Sequence, residues 1–100
     1  MQFSFGEEIL NTGDSVAVNC MVVKGDSPLE LRWYLNGAPI SSENEGIMVT
    51  KLSERLSSLS IEAIQPVHRG TYECRVKNRA GESVSSAELV INGSSINITL

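Results

Sequence analysis

The sequence predicts an all-β domain, a sandwich of two antiparallel sheets, on two observations. Apolar and polar residues alternate with a period of two in short segments separated by clusters of turn formers, and no segment reads as a helix. The second observation is a constellation. The only two cysteines, Cys20 and Cys74, stand 54 positions apart. The only tryptophan, Trp33, lies in the apolar segment after the first of them, and Tyr72 stands two residues before the second.

This constellation resembles that of an immunoglobulin-type sandwich. The resemblance implies a disulfide between Cys20 and Cys74, joining strands B and F of facing sheets, in the letters used for such folds. It also implies a core Trp33 on strand C beside the sulfurs. Tyr72 then becomes a tyrosine corner, its hydroxyl bonding back to main chain at the E–F crossover. Closing a loop of this length stabilises a fold by about 4 kcal/mol in the chain-entropy model. A paired disulfide in so small a domain belongs to an oxidising compartment.

Taken in order, Phe3 to Asn11 reads as strand A, kinked near Gly6. Thr12-Gly13-Asp14 is a turn, and strand B runs Ser15 to Val23 with Val16, Val18, Cys20 and Val22 inward. Lys24 to Pro28 is a loop. Strand C, Leu29 to Leu35, points Leu31, Trp33 and Leu35 inward, and Asn36-Gly37 predicts a type I′ hairpin turn. The polar stretch Ala38 to Gly46, with Pro39, is too short for the extra strand pair of a variable domain, which leaves a constant-like or intermediate set. Strand D, Ile47 to Leu52, is placed with Ile47 and Val49 inward. Strand E, Leu56 to Ile64, turns Leu59 and Ile61 inward. Gln65 to Arg69 forms the E–F corner, and strand F, Thr71 to Asn78, buries Tyr72, Cys74 and Val76. Arg79 to Glu82 is a hairpin, and strand G puts Ala87, Leu89 and Ile91 inside. Residues 1–92 thus form the domain. Residues 93–100 read as a linker and the first strand of a following domain, as in a tandem array.

Ser57-Ser58-Leu59-Ser60-Ile61, the run from Pro66-Val67-His68-Arg69-Gly70-Thr71-Tyr72-Glu73 to Cys74, and Lys77-Asn78-Arg79-Ala80-Gly81-Glu82 resemble intermediate-set domains of the Dscam family. With Phe3-Ser4-Phe5-Gly6-Glu7-Glu8, residues 3–92 look like an arthropod Dscam variable domain, such as the amino-terminal domain of the shortened chelicerate forms. The resemblance implies a cell-surface adhesion and self-recognition receptor whose domains bind identical copies. One position departs from the wider superfamily, which commonly has Asp two residues before the motif glycine where this chain has His68. An Asp–Arg bridge therefore cannot close the corner.

No catalytic constellation is expected, and neither cofactor nor metal. His68 is the only histidine, the cysteines are committed to each other, and no Gly-rich phosphate loop occurs. The Glu7/Glu8 and Glu43/Glu45 pairs lack the dense Asp/Asn pattern of a calcium loop. A net charge of −4 argues against nucleic acid, and no apolar run approaches the ~20 residues of a spanning helix. The amino terminus has no signal-peptide pattern, and the chain reads as one module of a longer protein. Asn92-Gly93-Ser94 and Asn97-Ile98-Thr99 are sequons, which makes Asn92 and Asn97 candidate glycosylation sites. Arg69, Arg75, Lys77 and Arg79 along strand F are a candidate anion site, weighed against the mixed charge of Glu30, Glu73 and Glu88 beside them.

The two outer faces differ. The C–F–G face carries Glu30, Arg32, Glu73, Arg75, Lys77 and Glu88, whereas the A–B–E–D face presents Ala17, Asn19, Met21, Met48, Thr50, Ser58 and Ser60, with Glu62 at its end. Charge depletion with exposed methionine distinguishes an interface centre from ordinary surface. The sequence thus predicts a non-enzymatic extracellular adhesion module. It would bind an identical copy on an opposing cell through the A–B–E–D face and belong to a membrane-anchored parent. A heterophilic receptor module and a structural spacer, including an intracellular muscle-type module with reduced cysteines, are the alternatives.

Overall fold

The computed structural model describes residues 10–41 and 44–91. The expectations for residues 3–9, Glu43, both sequons and the segment 93–100 lie outside them.

Among the described residues seven strands form two sheets: β1 (Val16–Met21), β2 (Glu30–Leu35), β3 (Ala38–Pro39), β4 (Ile47–Ser53), β5 (Leu56–Ile61), β6 (Gly70–Asn78) and β7 (Gly81–Leu89). They correspond to B, C, a short C′, D, E, F and G. One sheet has the order β1-β5-β4 and the other β3-β2-β6-β7. All strand pairs are antiparallel. Two features differ from the expected A-B-E-D and C-F-G sheets. The residue pair Ala38–Pro39 does pair, with Leu35 and Tyr34, because the Asn36-Gly37 turn reverses the chain directly onto β2. Leu10, at the end of the expected strand A, makes a parallel bridge to Ile91 after β7 and not to β1.

Side chains obey the strand period. Val18 and Cys20 of β1, Leu59 and Ile61 of β5, and Tyr72, Cys74 and Val76 of β6 are buried between the sheets with Trp33, Leu89 and Ile91. The Cys20–Cys74 disulfide crosses this core with Cα atoms 6.4 Å apart, leaving no free cysteine. Trp33 Nε1–H donates to the buried Ser57 hydroxyl at 2.9 Å, so the indole is held by β5 as well as by packing. Asn36 and Gly37 have φ of 52° and 84°, the two positive values that a type I′ turn requires.

Three elements differ in detail. Strand E ends at Ile61, not Ile64. Ile64 is still fully buried, because its N–H and C=O pair with Asp14 and Gly13 of the A–B turn. The β6–β7 turn is tighter than expected, with Asn78 opposite Gly81 and the Asn78 Oδ1 accepting from the Ala80 and Gly81 amides. Val49 shares the inward phase of Ile47 but is 43% exposed. β4 is the last strand of its sheet, so one side of it has no neighbouring strand among the described residues.

The E–F corner is a 3₁₀ turn, Pro66–His68, built around the side chain that stands where Asp is usual. His68 is buried; its Nδ1 accepts from the Gln65 amide at 3.0 Å, and its Nε2 lies 2.9 Å from the Glu45 carbonyl. A carbonyl only accepts, so Nε2 carries the proton. Tyr72 Oη donates to the His68 carbonyl at 2.6 Å, the tyrosine corner implied by its position.

Candidate functional site

The register of β1, β5 and β4 arranges the outward residues of the three-stranded sheet in rows. Ala17, Ser60 and Met48 are neighbours across the strands, as are Asn19, Ser58 and Thr50. Met21 pairs with Leu56 and through it with Ser53. On β1 and β5 the residues between these positions point into the core, and the outward positions within the three strands hold small, polar uncharged and apolar side chains, with Glu62 just past the end of β5. Met21 is 54% exposed and Met48 66%. Ala17, Asn19, Thr50 and Glu62 are exposed, whereas Ser58 and Ser60 on the central strand are half-buried. The fold therefore brings all eight predicted face residues to one surface.

The face is not flat. A depression of about 680 Å³ lies at its lower end, with Ala17 and Ser60 in it, Met48 and Ile47 beside it, and Glu62 at its limit. There the Ser15 hydroxyl donates to the Glu62 carbonyl at 2.6 Å. Sequence reasoning missed Leu52 and Leu56. Leu52 is 57% exposed and follows Thr50 in alternation, where the register shifts between Lys51 and Ser53. The signal was available in the alternation itself.

The opposite face is organised by charge. Arg32 and Arg75 are direct cross-strand neighbours, an arrangement that is repulsive unless each charge is satisfied. Both are. Arg32 bridges to Glu30, while Arg75 donates to Glu73 at 2.8 Å and stacks 3.9 Å over the Tyr34 ring. The hydrogen bond that Arg75 donates to Glu73 raises the pKa of Arg75. The candidate anion site along strand F, against which the mixed charge already weighed, does not form as one cluster. Arg69 precedes β6 and Arg79 follows it, at opposite ends of a nine-residue strand, and Arg75 between them is already paired.

At the upper end of the sandwich the β4–β5 turn clasps the loop after β1. The Glu54 carboxylate accepts from the Leu29 amide at 2.9 Å and the Ser27 hydroxyl at 3.1 Å, and Arg55 Nη2 donates to the Gly25 carbonyl at 2.6 Å. These hydrogen bonds, the Leu29 amide first, hold the Glu54 carboxyl below the usual carboxylate range. Among the described residues no group of three or more His, Cys, Asp or Glu gathers as a metal site.

Two sheets locked by a disulfide, a tryptophan and a tyrosine corner, with a truncated C′ strand, define an immunoglobulin domain of the intermediate set. The pattern of the immunoglobulin I-set domain matches residues 6–91, and the chain belongs to that family. Within it, the sequence is 46% identical over 92 residues to the cell adhesion molecule Dscam1 of Drosophila melanogaster, covering 92% of this chain and 5% of that protein. The chain thus spans a small part of that relative's length. Isoform 5 of the Dscam1 Ig7 domain superposes with a TM-score of 0.88 at 44% identity, covering 92% of this chain and 93% of that one. Isoform 9 of the same domain gives 0.86 at 45% identity, covering 91% and 95%. The resemblance to Dscam domains read from strands E to G therefore holds along the whole sandwich.

Proposed function

We propose that this chain is an extracellular adhesion module that binds a second copy of itself through the outer face of the β1-β5-β4 sheet. One observation carries the reading: the outward positions of three adjacent strands hold no charged side chain, yet they expose two methionines. Identical molecules most simply pair about a two-fold axis, where each residue near the axis meets its own copy. A charge there would face a like charge, so a self-binding face is charge-poor at its centre. Methionine is flexible and apolar and packs without a charge partner. Asn19, Thr50, Ser58 and Ser60 would set specificity, since an altered partner leaves a donor unmatched or a clash.

The similarity to cell adhesion molecules and the disulfide support an extracellular location. By the same reading residues 1–92 are one domain of a membrane-anchored tandem array, and residues 93–100 lead to the next. On that reading Asn92 and Asn97 would carry glycans.

Sedimentation equilibrium at several concentrations tests the reading. The expected result is a mass that rises from monomer toward dimer. A monomer at every concentration would favour a heterophilic or spacer role.

A further inference from the structure

Peroxides oxidise the sulfur of cysteine and methionine. Among the described residues the sulfurs are those of Cys20, Cys74, Met21 and Met48. The two cysteines are joined to each other and fully buried, so neither is a thiol. Met21 and Met48 are 54% and 66% exposed. The other oxidation-prone side chains are shielded: Trp33, His68 and Tyr72 are buried, and Arg75 covers the Tyr34 ring. The accessible sulfur of the described residues therefore lies on one surface, the outer face of the β1-β5-β4 sheet.

The register places these two side chains on either side of the centre of that face. Met48 stands in the row of Ala17 and Ser60, Met21 pairs with Leu56, and the Asn19–Ser58–Thr50 row lies between. We propose that Met21 and Met48 form an oxidation site that switches self-association: a peroxide converts both to sulfoxides, and the dimer comes apart. In each step the thioether sulfur takes one oxygen from hydrogen peroxide as the O–O bond breaks. The sulfur loses two electrons, and the peroxide leaves as water. The product is polar where the thioether was apolar, and it brings an acceptor with no donor of its own. In the separate chain that acceptor stays hydrated, because both side chains are exposed, and the fold is indifferent to it. In the contact it must be desolvated, twice in each copy, where apolar methionines packed before. The switch rests on the self-binding reading, whereas the selection of Met21 and Met48 by the oxidant does not.

Treatment with dilute hydrogen peroxide, followed by peptide mapping and sedimentation of the same sample, tests both parts. The expected map is one added oxygen at each of Met21 and Met48, with Trp33 and the disulfide unchanged. The oxidised chain should keep its melt, while the dimer dissociation constant rises at least about tenfold. Methionine sulfoxide reductases of both epimer specificities should restore the native value. Met21→Leu/Met48→Leu retains Met1 and should dimerise with or without peroxide. An untouched Met21 or Met48, or a leucine variant that loses its dimer only on oxidation, would overturn the proposal. An oxidised chain that dimerises as well as the native one would overturn the switch alone. A native chain already monomeric before oxidation would overturn the self-binding reading and the switch with it.

Discussion

The Tyr72 hydroxyl donates to the His68 carbonyl at 2.6 Å from a side chain with no solvent exposure, tying β6 to the corner that precedes it. Tyr72→Phe should therefore lower stability by about 1 kcal/mol at neutral pH, since one buried hydrogen bond is lost. It should leave self-association unchanged. An unaltered unfolding midpoint in denaturant would remove the corner bond from the account.

The same burial governs behaviour in alkali. Desolvation raises the Tyr72 phenol from 10.0 to about 12. The folded-state value lies above the unfolded one, so the neutral phenol is common to both states below 10 and nothing is lost there. As pH rises through 10 toward 12 the unfolded chain ionises first, and stability falls by roughly 2–3 kcal/mol. Tyr72→Phe should remove that part of the decline. Equilibrium unfolding of both proteins across this window checks it, and parallel curves would contradict it.

Glu54 works at the other end of the scale. Its carboxyl is held below the usual range by the Leu29 amide and the Ser27 hydroxyl. A depressed folded-state pKa contributes stability above the ordinary glutamate value, lost as pH falls through the folded-state value. Glu54→Gln keeps an acceptor without the charge, so the Ser27 and Leu29 amide shifts should cease to titrate in acid. Persisting titration at those amides would assign it to another group.

How much of this was legible in the sequence follows from what each feature depends on. The inward phases of Val18, Cys20, Leu59, Tyr72 and Cys74 depend only on strand period, and all five are buried. So do the face residues from Ala17 to Ser60. The same reasoning would have turned Ser57 inward beneath Trp33, but a serine between apolar residues looks like a surface residue until its hydrogen bond is seen. Val49 has the inward phase the period gives it, yet it is 43% exposed. Period says which way a side chain points and not how far it is covered, and Val49 lies on the edge strand of its sheet. The substitute for the Asp–Arg bridge required knowing that the Glu45 carbonyl reaches His68.

Gly70 shows why the corner motif carries glycine. Its φ is +145°, and a Cβ there would lie 2.5 Å from Asn36 Oδ1, which accepts from the Thr71 amide. Gly81 has nearly the same φ, +149°, with nothing within 4 Å. Each Gly→Ala change should cost about 1–3 kcal/mol for the backbone conformation alone. Gly70→Ala should cost at least about 1 kcal/mol more, from the collision. Equal losses in thermal unfolding would mean that Asn36 moves aside freely.

The central claim concerns the outer face of the β1-β5-β4 sheet, and Met48 is its most exposed named hydrophobic residue at 66%. Analytical ultracentrifugation of the native chain, Met48→Lys and Arg75→Glu over one concentration series tests it most directly. The native chain and Arg75→Glu should approach dimer mass, although the latter melts lower because Arg75 loses Glu73 and the Tyr34 ring. Met48→Lys should remain monomeric at every concentration with an unchanged melt, since a lysine at the axis meets its own copy. A Met48→Lys dimer beside an Arg75→Glu monomer would place the contact on the opposite sheet and contradict the account.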